Sequence, residues 1–248
     1  MLPLDHVAFA AADLGALART WAMLGFTVSP RGAYTSPDDA EARWPCRCVF
    51  LSSGWLDLHE AQGLPPDQAR GPNGLLYRAD DLAAARDSLA AEEPRAGEFR
   101  LERRWDDEAA TAARFVYFTL RTRRAPVGLA VIAHLDGDRD IHPDWRIHAN
   151  GALALAQIVF DQGDPPPTRG RSGLDPDTIV RVPEAAFAER YGAGSSRGAA
   201  LVFHVGSLAQ AESVLAAGGV EHSHLGDALI VPWRGDLSCA VEFRTAGP

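Results

Sequence analysis

His6 stands immediately ahead of an eight-residue pattern that occurs four times in this chain, and no other copy carries a histidine there. The copies begin at Val7, Leu75, Ile158 and Leu201; the residues before them are His6, Gly74, Gln157 and Ala200. An imidazole titrates near neutral pH and binds metals through a neutral ring nitrogen, so this position offers proton transfer or coordination. If it is a ligand position, most copies have lost theirs. A second group lies in Trp55-Leu-Asp-Leu-His-Glu60, where alternation puts Trp55, Asp57 and His59 on one face and Leu56 and Leu58 on the other. His134 closes a later apolar run, and His142 and His148 flank Trp145 beyond it. Gln157, His204 and Glu242 interrupt apolar strands of the second half. Cys46 and Cys48 share a strand face, which fits two small packed thiols better than a soft-metal or redox pair. His222 and His224, beside Glu221, read as a solvated edge.

The elements that must position these residues repeat as well. Each copy is an apolar, period-2 strand running into a polar turn, and the first, second and fourth lead into Ala/Leu-rich helical stretches. The first unit reads as strand 4–12, a helix over 13–24 capped by Asp13 and stopped by Gly25, then strands Phe26–Ser29, Cys46–Leu51 and Trp55–Glu60. The second reads as strand 75–79, helix 81–91 capped by Asp80 or Asp81, and strands near 98–105, 114–121 and 127–134. A connector, 136–149, is rich in Asp, His and Pro. In the third unit strand 152–161 precedes Gly163–Gly173, whose prolines exclude a helix, leaving strand Thr178–Val182 and helix Glu184–Tyr191. The fourth is regular: strand 200–205, helix 207–217 and strands 227–231 and 238–244. The expectation is an α+β protein in two halves, 1–135 and 150–248, each built from two βαβββ units, the third degenerate.

Composition narrows the function classes. The chain has 248 residues, 46% hydrophobic and 23% charged, enough for a sizeable core. No apolar run approaches the ~18 residues of a membrane span. The amino terminus enters a strand without a charged leader, so secretion is not expected and the cytoplasm is the expected location. A net charge of -9 disfavours nucleic acid as a partner. No Walker-type loop, Gly-x-Ser-x-Gly, Cys-x-x-Cys or dinucleotide fingerprint occurs, which leaves little support for nucleotide cofactors or a serine nucleophile. Arg100, Arg103, Arg104, Arg114, Arg121, Arg123 and Arg124 crowd the sixth and seventh strands. Most are expected in solvent, with Arg114 or Arg121 the candidates for a substrate carboxylate.

Repeated βαβββ units whose first strand reads Asp5-His-Val-x-Phe-x-x-x-Asp-Leu14 resemble the vicinal oxygen chelate superfamily, which includes glyoxalase I, the extradiol dioxygenases and the fosfomycin and bleomycin resistance proteins. His134 followed by His142-Pro-Asp-Trp-Arg-Ile-His-Ala-Asn-Gly-Ala152 resembles the connector of a glyoxalase-like group, with Ala149 in place of a proline. The resemblance covers nearly the whole chain. It implies two cupped mixed sheets and one divalent metal ion, held by His6, by Asp57 where the family usually has Glu, and by His134. Such a set leaves positions open for a substrate with adjacent oxygens, whose enediolate the ion stabilises or beside which it activates oxygen. The implied activity is that of a lyase, isomerase or dioxygenase acting on a small oxygen-rich molecule. His59 or Glu60 would serve as general base, His59 being favoured because it shares the face of Asp57. A weaker site in the second half would use Gln157, His204 and Glu242. The other class is a metal-free, drug-sequestering binder, favoured by Gly74, Ala200 and Arg47, with Trp55, Trp105, Phe115 and Tyr117 as a stacking pocket. The expected partner is a small molecule, with no nucleic acid and no membrane; a homodimer through sheet edges is compatible with the architecture.

Overall fold

Alternation gives β1 (Leu4–Ala11) two chemically distinct faces: Val7 and Phe9 turn outward into the main core, while His6, Ala8 and Ala10 face the other way. A computed structural model describes residues 1–60, 71–90, 94–95, 97–106, 112–121, 127–161, 178–192 and 198–246. After β1 come α1 (Leu14–Met23), β2 (Gly32–Ser36), β3 (Asp39–Phe50) and β4 (Trp55–Glu60). The second unit supplies β5 (Gly71–Arg78), α2 (Leu82–Ser88), β6 (Phe99–Trp105), β7 (Ala113–Thr119) and β8 (Gly128–His134). A 3-10 turn at Pro143–Arg146 interrupts the connector. The remainder is β9 (Ala152–Phe160), β10 (Ile179–Arg181), α3 (Glu184–Tyr191), β11 (Ala199–Val205), α4 (Leu208–Ala217), β12 (Ser223–Leu225), β13 (Ala228–Arg234) and β14 (Cys239–Thr245).

The first eight strands close into a barrel in the order β1-β4-β3-β2-β6-β7-β8-β5. Within each unit the first and last strands are parallel, β1 with β4 and β5 with β8. The units join at two seams, β1 with β5 and β2 with β6. The second seam makes this sheet a barrel and not an open cup. It depends on Gly32, where a Cβ would lie 2.6 Å from the Arg104 carbonyl oxygen and 2.7 Å from the Trp105 ring. The other six strands form an open sheet, β10-β9-β11-β14-β13-β12.

Side-chain caps start the helices as the sequence indicates: Asp13 Oδ1 accepts from Ala16 N–H at 2.8 Å and Asp81 Oδ1 from Ala84 N–H at 3.0 Å. Gly25 ends α1 at φ +85°, pressed so close to α4 that a Cβ would stand 2.5 Å from Val214 Cγ1. The expected strand Phe26–Ser29 does not form. Phe26 leaves the sheet to pack on Trp21 and Phe203, and Pro30 offers no N–H to extend a ladder. Only Ser29 N–H reaches β3, at the Cys48 carbonyl, and the strand begins at Gly32 instead. The proline-bearing stretch Gly163–Gly173 lies outside the described residues, as do Arg123 and Arg124.

Among the described residues, three buried clusters form the core. The largest lies between the barrel exterior and the convex face of the second sheet, where Trp21 and Phe26 of the first half meet Phe203 and Phe243 of the second. The halves therefore share one core. A second cluster fills the barrel lumen, and a third lies on the concave face of the second sheet beneath Phe187 and Tyr191 of α3.

Candidate functional site in the barrel lumen

Two irregularities in the seam between β1 and β5 deliver polar side chains to the lumen. Between Leu4 and His6, β1 advances two residues while β5 advances one, from Tyr77 to Leu76, so Asp5 is the extra residue. Between Ala8 and Phe9 the excess is on β5, which passes from Gly74 to Pro72 and leaves Asn73 unmatched. A bulge redirects the side chain it carries. Asp5 consequently joins His6 inside the barrel, and Asn73 reaches His59.

Asp5 organises the inner group. Its Oδ2 accepts from His6 Nδ1 at 2.7 Å, from His134 Nε2 at 3.1 Å and from Trp55 Nε1 at 3.1 Å. Burial alone would raise the Asp5 carboxyl, but the hydrogen bonds and charges of His134 and His6 overrule it and hold it far below the usual carboxylate range. The His6 ring lies 4.1 Å from that of Trp55. Sequence reading missed Asp5, although it is adjacent to His6.

The outer group centres on His59, four residues along β4 from Trp55 and so about 13 Å from it at the rise of a strand. Its Nε2 lies 3.3 Å from Asn73 Nδ2. Burial pushes the imidazole down, outweighing the opposing pull of Asp57, so the ring is neutral at neutral pH. Thr119, on the inward face of β7, lies four residues up the paired β8 from the level of His134. Asn73 Oδ1 and Thr119 Oγ1 are buried polar atoms without a hydrogen-bond partner. Half-buried Trp44, Leu101 and Tyr117 lie toward this end and Leu76 stands opposite His6, whereas Ile141 and Trp145 of the connector pack at the other end.

Arg103 occupies the middle. Most arginines of these strands are expected in solvent; Arg103 is an exception, 1% exposed, whereas Arg100, Arg104, Arg114 and Arg121 are exposed. Its Nε and Nη2 both donate to Asp140 Oδ2 at 2.8 Å, and Nη1 lies 3.3 Å from Tyr34 Oη and 3.7 Å from Cys48 Sγ. The rings of Tyr34, Phe50, Trp55, Trp105 and Phe115 surround it at 4.9–5.9 Å. Of the aromatics expected to form a stacking pocket, Trp55, Trp105 and Phe115 thus enclose a guanidinium, whereas Tyr117 stacks on Phe99. Burial raises the Cys46 and Cys48 thiols well above their ordinary value, so both stay protonated.

The metal set implied by the resemblance does not fit this arrangement. His6 and His134 come together, but on Asp5: His134 Nε2 faces that carboxylate and its Nδ1 lies 3.9 Å from Asp138 Oδ1. Asp57 faces the lumen with Oδ1 3.8 Å from Cys48 Sγ. Among the described residues no three His, Cys, Asp or Glu side chains form a group that could hold a metal ion. A divalent cation would also meet the like charge of Arg103 at short range.

The remaining candidates are dispersed. Glu60 follows His59 on β4 and falls on the opposite face, outside the lumen. His148 is a packing residue, its Nδ1 3.0 Å from Thr27 N–H and its Nε2 2.8 Å from the Phe50 carbonyl. His142 caps the exposed 3-10 turn. Arg114 is spent on Asp136 at the surface, Arg121 is exposed, and Arg47 donates to the Ser29 carbonyl. In the second half Gln157 and Glu242 flank Val202 in one cross-strand row, and His204 pairs in register with Arg244. Glu242 accepts from Arg190, Tyr191 and Arg244, a carboxylate already neutralised by cations.

Asp5→Asn tests the inner group. Removing a buried charged acceptor is expected to cost about 1.5–3 kcal/mol at neutral pH. The depressed folded-state pKa means this stability is complete above the unfolded carboxyl value of about 4 and is lost as pH falls below it. Urea midpoints measured from neutral to acid pH should fall steeply in the wild type and more gently in the variant.

The sequence profile of a family described as Glyoxalase-like domain matches residues 4–172. Among solved structures, a triple mutant of 4-hydroxymandelate synthase from Streptomyces coelicolor superposes with a TM-score of 0.60 at 12% identity, covering 100% of this chain and 95% of that one. A hypothetical protein from Staphylococcus aureus gives 0.58 at 7% identity, over 99% and 100% of the two chains. At such identities the likeness is one of fold. No curated protein matches the chain.

Proposed function

The chain belongs to the Glyoxalase-like domain family, in the vicinal oxygen chelate superfamily, and from that premise we propose that it is an enzyme that moves a proton on a small oxygen-rich molecule held beside His59 in the barrel. One observation carries this reading: a neutral imidazole, His59, stands at the same end as two buried polar atoms without partners, Asn73 Oδ1 and Thr119 Oγ1. A neutral imidazole is a competent base at physiological pH. Groups left unsatisfied in the free protein are suited to a ligand that completes them. The β1–β5 seam beside them is built from small residues, Ala8, Ala10 and Gly74, with Gly74 packed so closely on Ala8 that a Cβ would lie 3.3 Å from its methyl.

In this reading His59 takes the proton from a carbon next to a carbonyl, and the electron pair moves onto the carbonyl oxygen. The Thr119 hydroxyl donates to that oxygen, and Asn73 Oδ1 accepts from the neighbouring hydroxyl. The neighbouring hydroxyl then passes its proton to the enolate oxygen and becomes the new carbonyl, and His59 returns the carbon-bound proton to the former carbonyl carbon, which completes an isomerisation. Nothing in the sequence of steps passes through a metal ion, because His6, Asp57 and His134 do not converge. The aromatic mouth, with Phe99 and Tyr117 stacked at 5.1 Å, favours the second reading, a binder without turnover.

Incubation with dihydroxyacetone in deuterated water, followed by proton NMR, separates these readings. Protein-dependent loss of the carbon-bound proton signals is expected, unchanged after dialysis against a chelator. Exchange that appears only on adding a divalent metal would restore the ion on His6, Asp57 and His134. Saturable ligand binding without exchange would leave the binder.

A further inference from the structure

The concave face of the second sheet holds a cleft of about 450 Å³, lined by Val159, Val180 and Val182 on one side and by Arg190 and Arg244 on the other. Behind the arginines Glu242 is fully buried. It accepts from Arg190 Nε at 2.9 Å and Nη2 at 2.8 Å, from Tyr191 Oη at 2.7 Å, and from Arg244 Nε. Burial alone would raise the Glu242 carboxyl; the hydrogen bonds of Arg190, Tyr191 and Arg244 hold it low, so it is a fixed anion.

Two guanidiniums therefore share one carboxylate. Arg190 and Arg244 remain 31% and 35% exposed, so each presents further N–H donors toward the cleft while its anchored edge stays fixed. Glu189 also borders the cleft, but it is exposed on α3 and its charge is screened by water. A pre-oriented pair of guanidinium forks with one anion already supplied is suited to a second carboxylate. Three valines alongside suit an apolar body of modest size.

We propose that this cleft binds small carboxylic acids with an apolar body, the carboxylate lying across Arg190 and Arg244 and the apolar part against Val159, Val180 and Val182. This site is separate from the barrel lumen and does not depend on the reading given for it. Calorimetric titration of the full chain with benzoate and with its neutral isostere benzamide tests it.

Benzoate is expected to bind saturably, at least about 10-fold more tightly than benzamide, and more weakly as sodium chloride is raised. Arg244→Gln should weaken benzoate at least about 10-fold and leave benzamide unchanged. Val182→Trp fills the cleft without touching the charges and should abolish both; it serves as the test where Arg244→Gln disturbs folding through Glu242. Equal affinities for benzoate and benzamide, no saturable binding of benzoate, or benzoate affinity unchanged in Val182→Trp would each overturn the proposal.

Discussion

Arg103→Met is expected to destabilise the protein by about 3–5 kcal/mol, because it leaves Asp140 buried without its cationic partner. For a chain of this size that corresponds to a fall of about 6–20 °C in the thermal midpoint. The cost is not loss of packing, since methionine fills much of the space of the guanidinium stem among the same five rings. It is the desolvated carboxylate, whose Oδ1 already lacks a hydrogen-bond partner. Adding Asp140→Leu should therefore recover most of the loss, as replacement of a whole buried pair by apolar residues is often neutral. Urea unfolding of the two single variants and the double variant measures the coupling directly. A single-variant cost below about 1 kcal/mol would show that solvent reaches the pair.

The consequence extends beyond stability. Asp140 belongs to the connector, and its carbonyl accepts from Trp105 Nε1 at 2.8 Å. The ion pair thus pins the connector over one end of the barrel, with Trp145 packed against Phe50 and Trp105. His59 and Asn73 stand toward the opposite end.

Alternation in β1 and β4 was legible in the sequence because it is local: the inward positions of His6, Asp57 and His59 follow from a period of two. The helix caps at Asp13 and Asp81 were legible for the same reason. The bulges at Asp5 and Asn73 were not, because each exists only in the register of β1 against β5, segments far apart in the chain. Arg103 left a trace, since it alternates with Leu101 and Trp105, both directed inward. Neighbouring Arg100 and Arg104 made the segment read as a solvated face, and the partner Asp140 lies 37 residues away in a segment without regular alternation.

The two halves show a common substitution of charge. Where the resemblance implies a divalent cation between carboxylates and imidazoles, the first half buries Arg103 against Asp140 and the second sets Arg190 and Arg244 on Glu242. A guanidinium supplies positive charge and directional donors but accepts no ligand into its own coordination sphere. Under the proposed function, chemistry in such a lumen falls to side chains able to move a proton, and burial holds the His59 imidazole neutral for that role.

His59→Ala is accordingly expected to lower the exchange rate by about 100- to 10,000-fold, the usual worth of a general base. Its effect on stability should be small, because Asn73 is the only hydrogen-bond partner described for the ring. In the wild type the rate should hold constant at neutral pH and fall as acid protonates the imidazole. That fall is displaced below the ordinary value of about 6.5, because burial disfavours the charged ring. The same displacement links to folding: the contribution is complete above the unfolded value and is lost as pH drops through the folded one, so His59→Ala should be less sensitive to mild acid. His59→Gln distinguishes proton transfer from mere positioning, since the amide can still meet Asn73 but cannot carry a proton between carbons. A glutamine variant as slow as alanine assigns the base to His59. A glutamine variant that recovers the rate makes the contact with Asn73 the important one and moves the base elsewhere in the lumen, with Asp57 the next ionisable side chain on that face of β4.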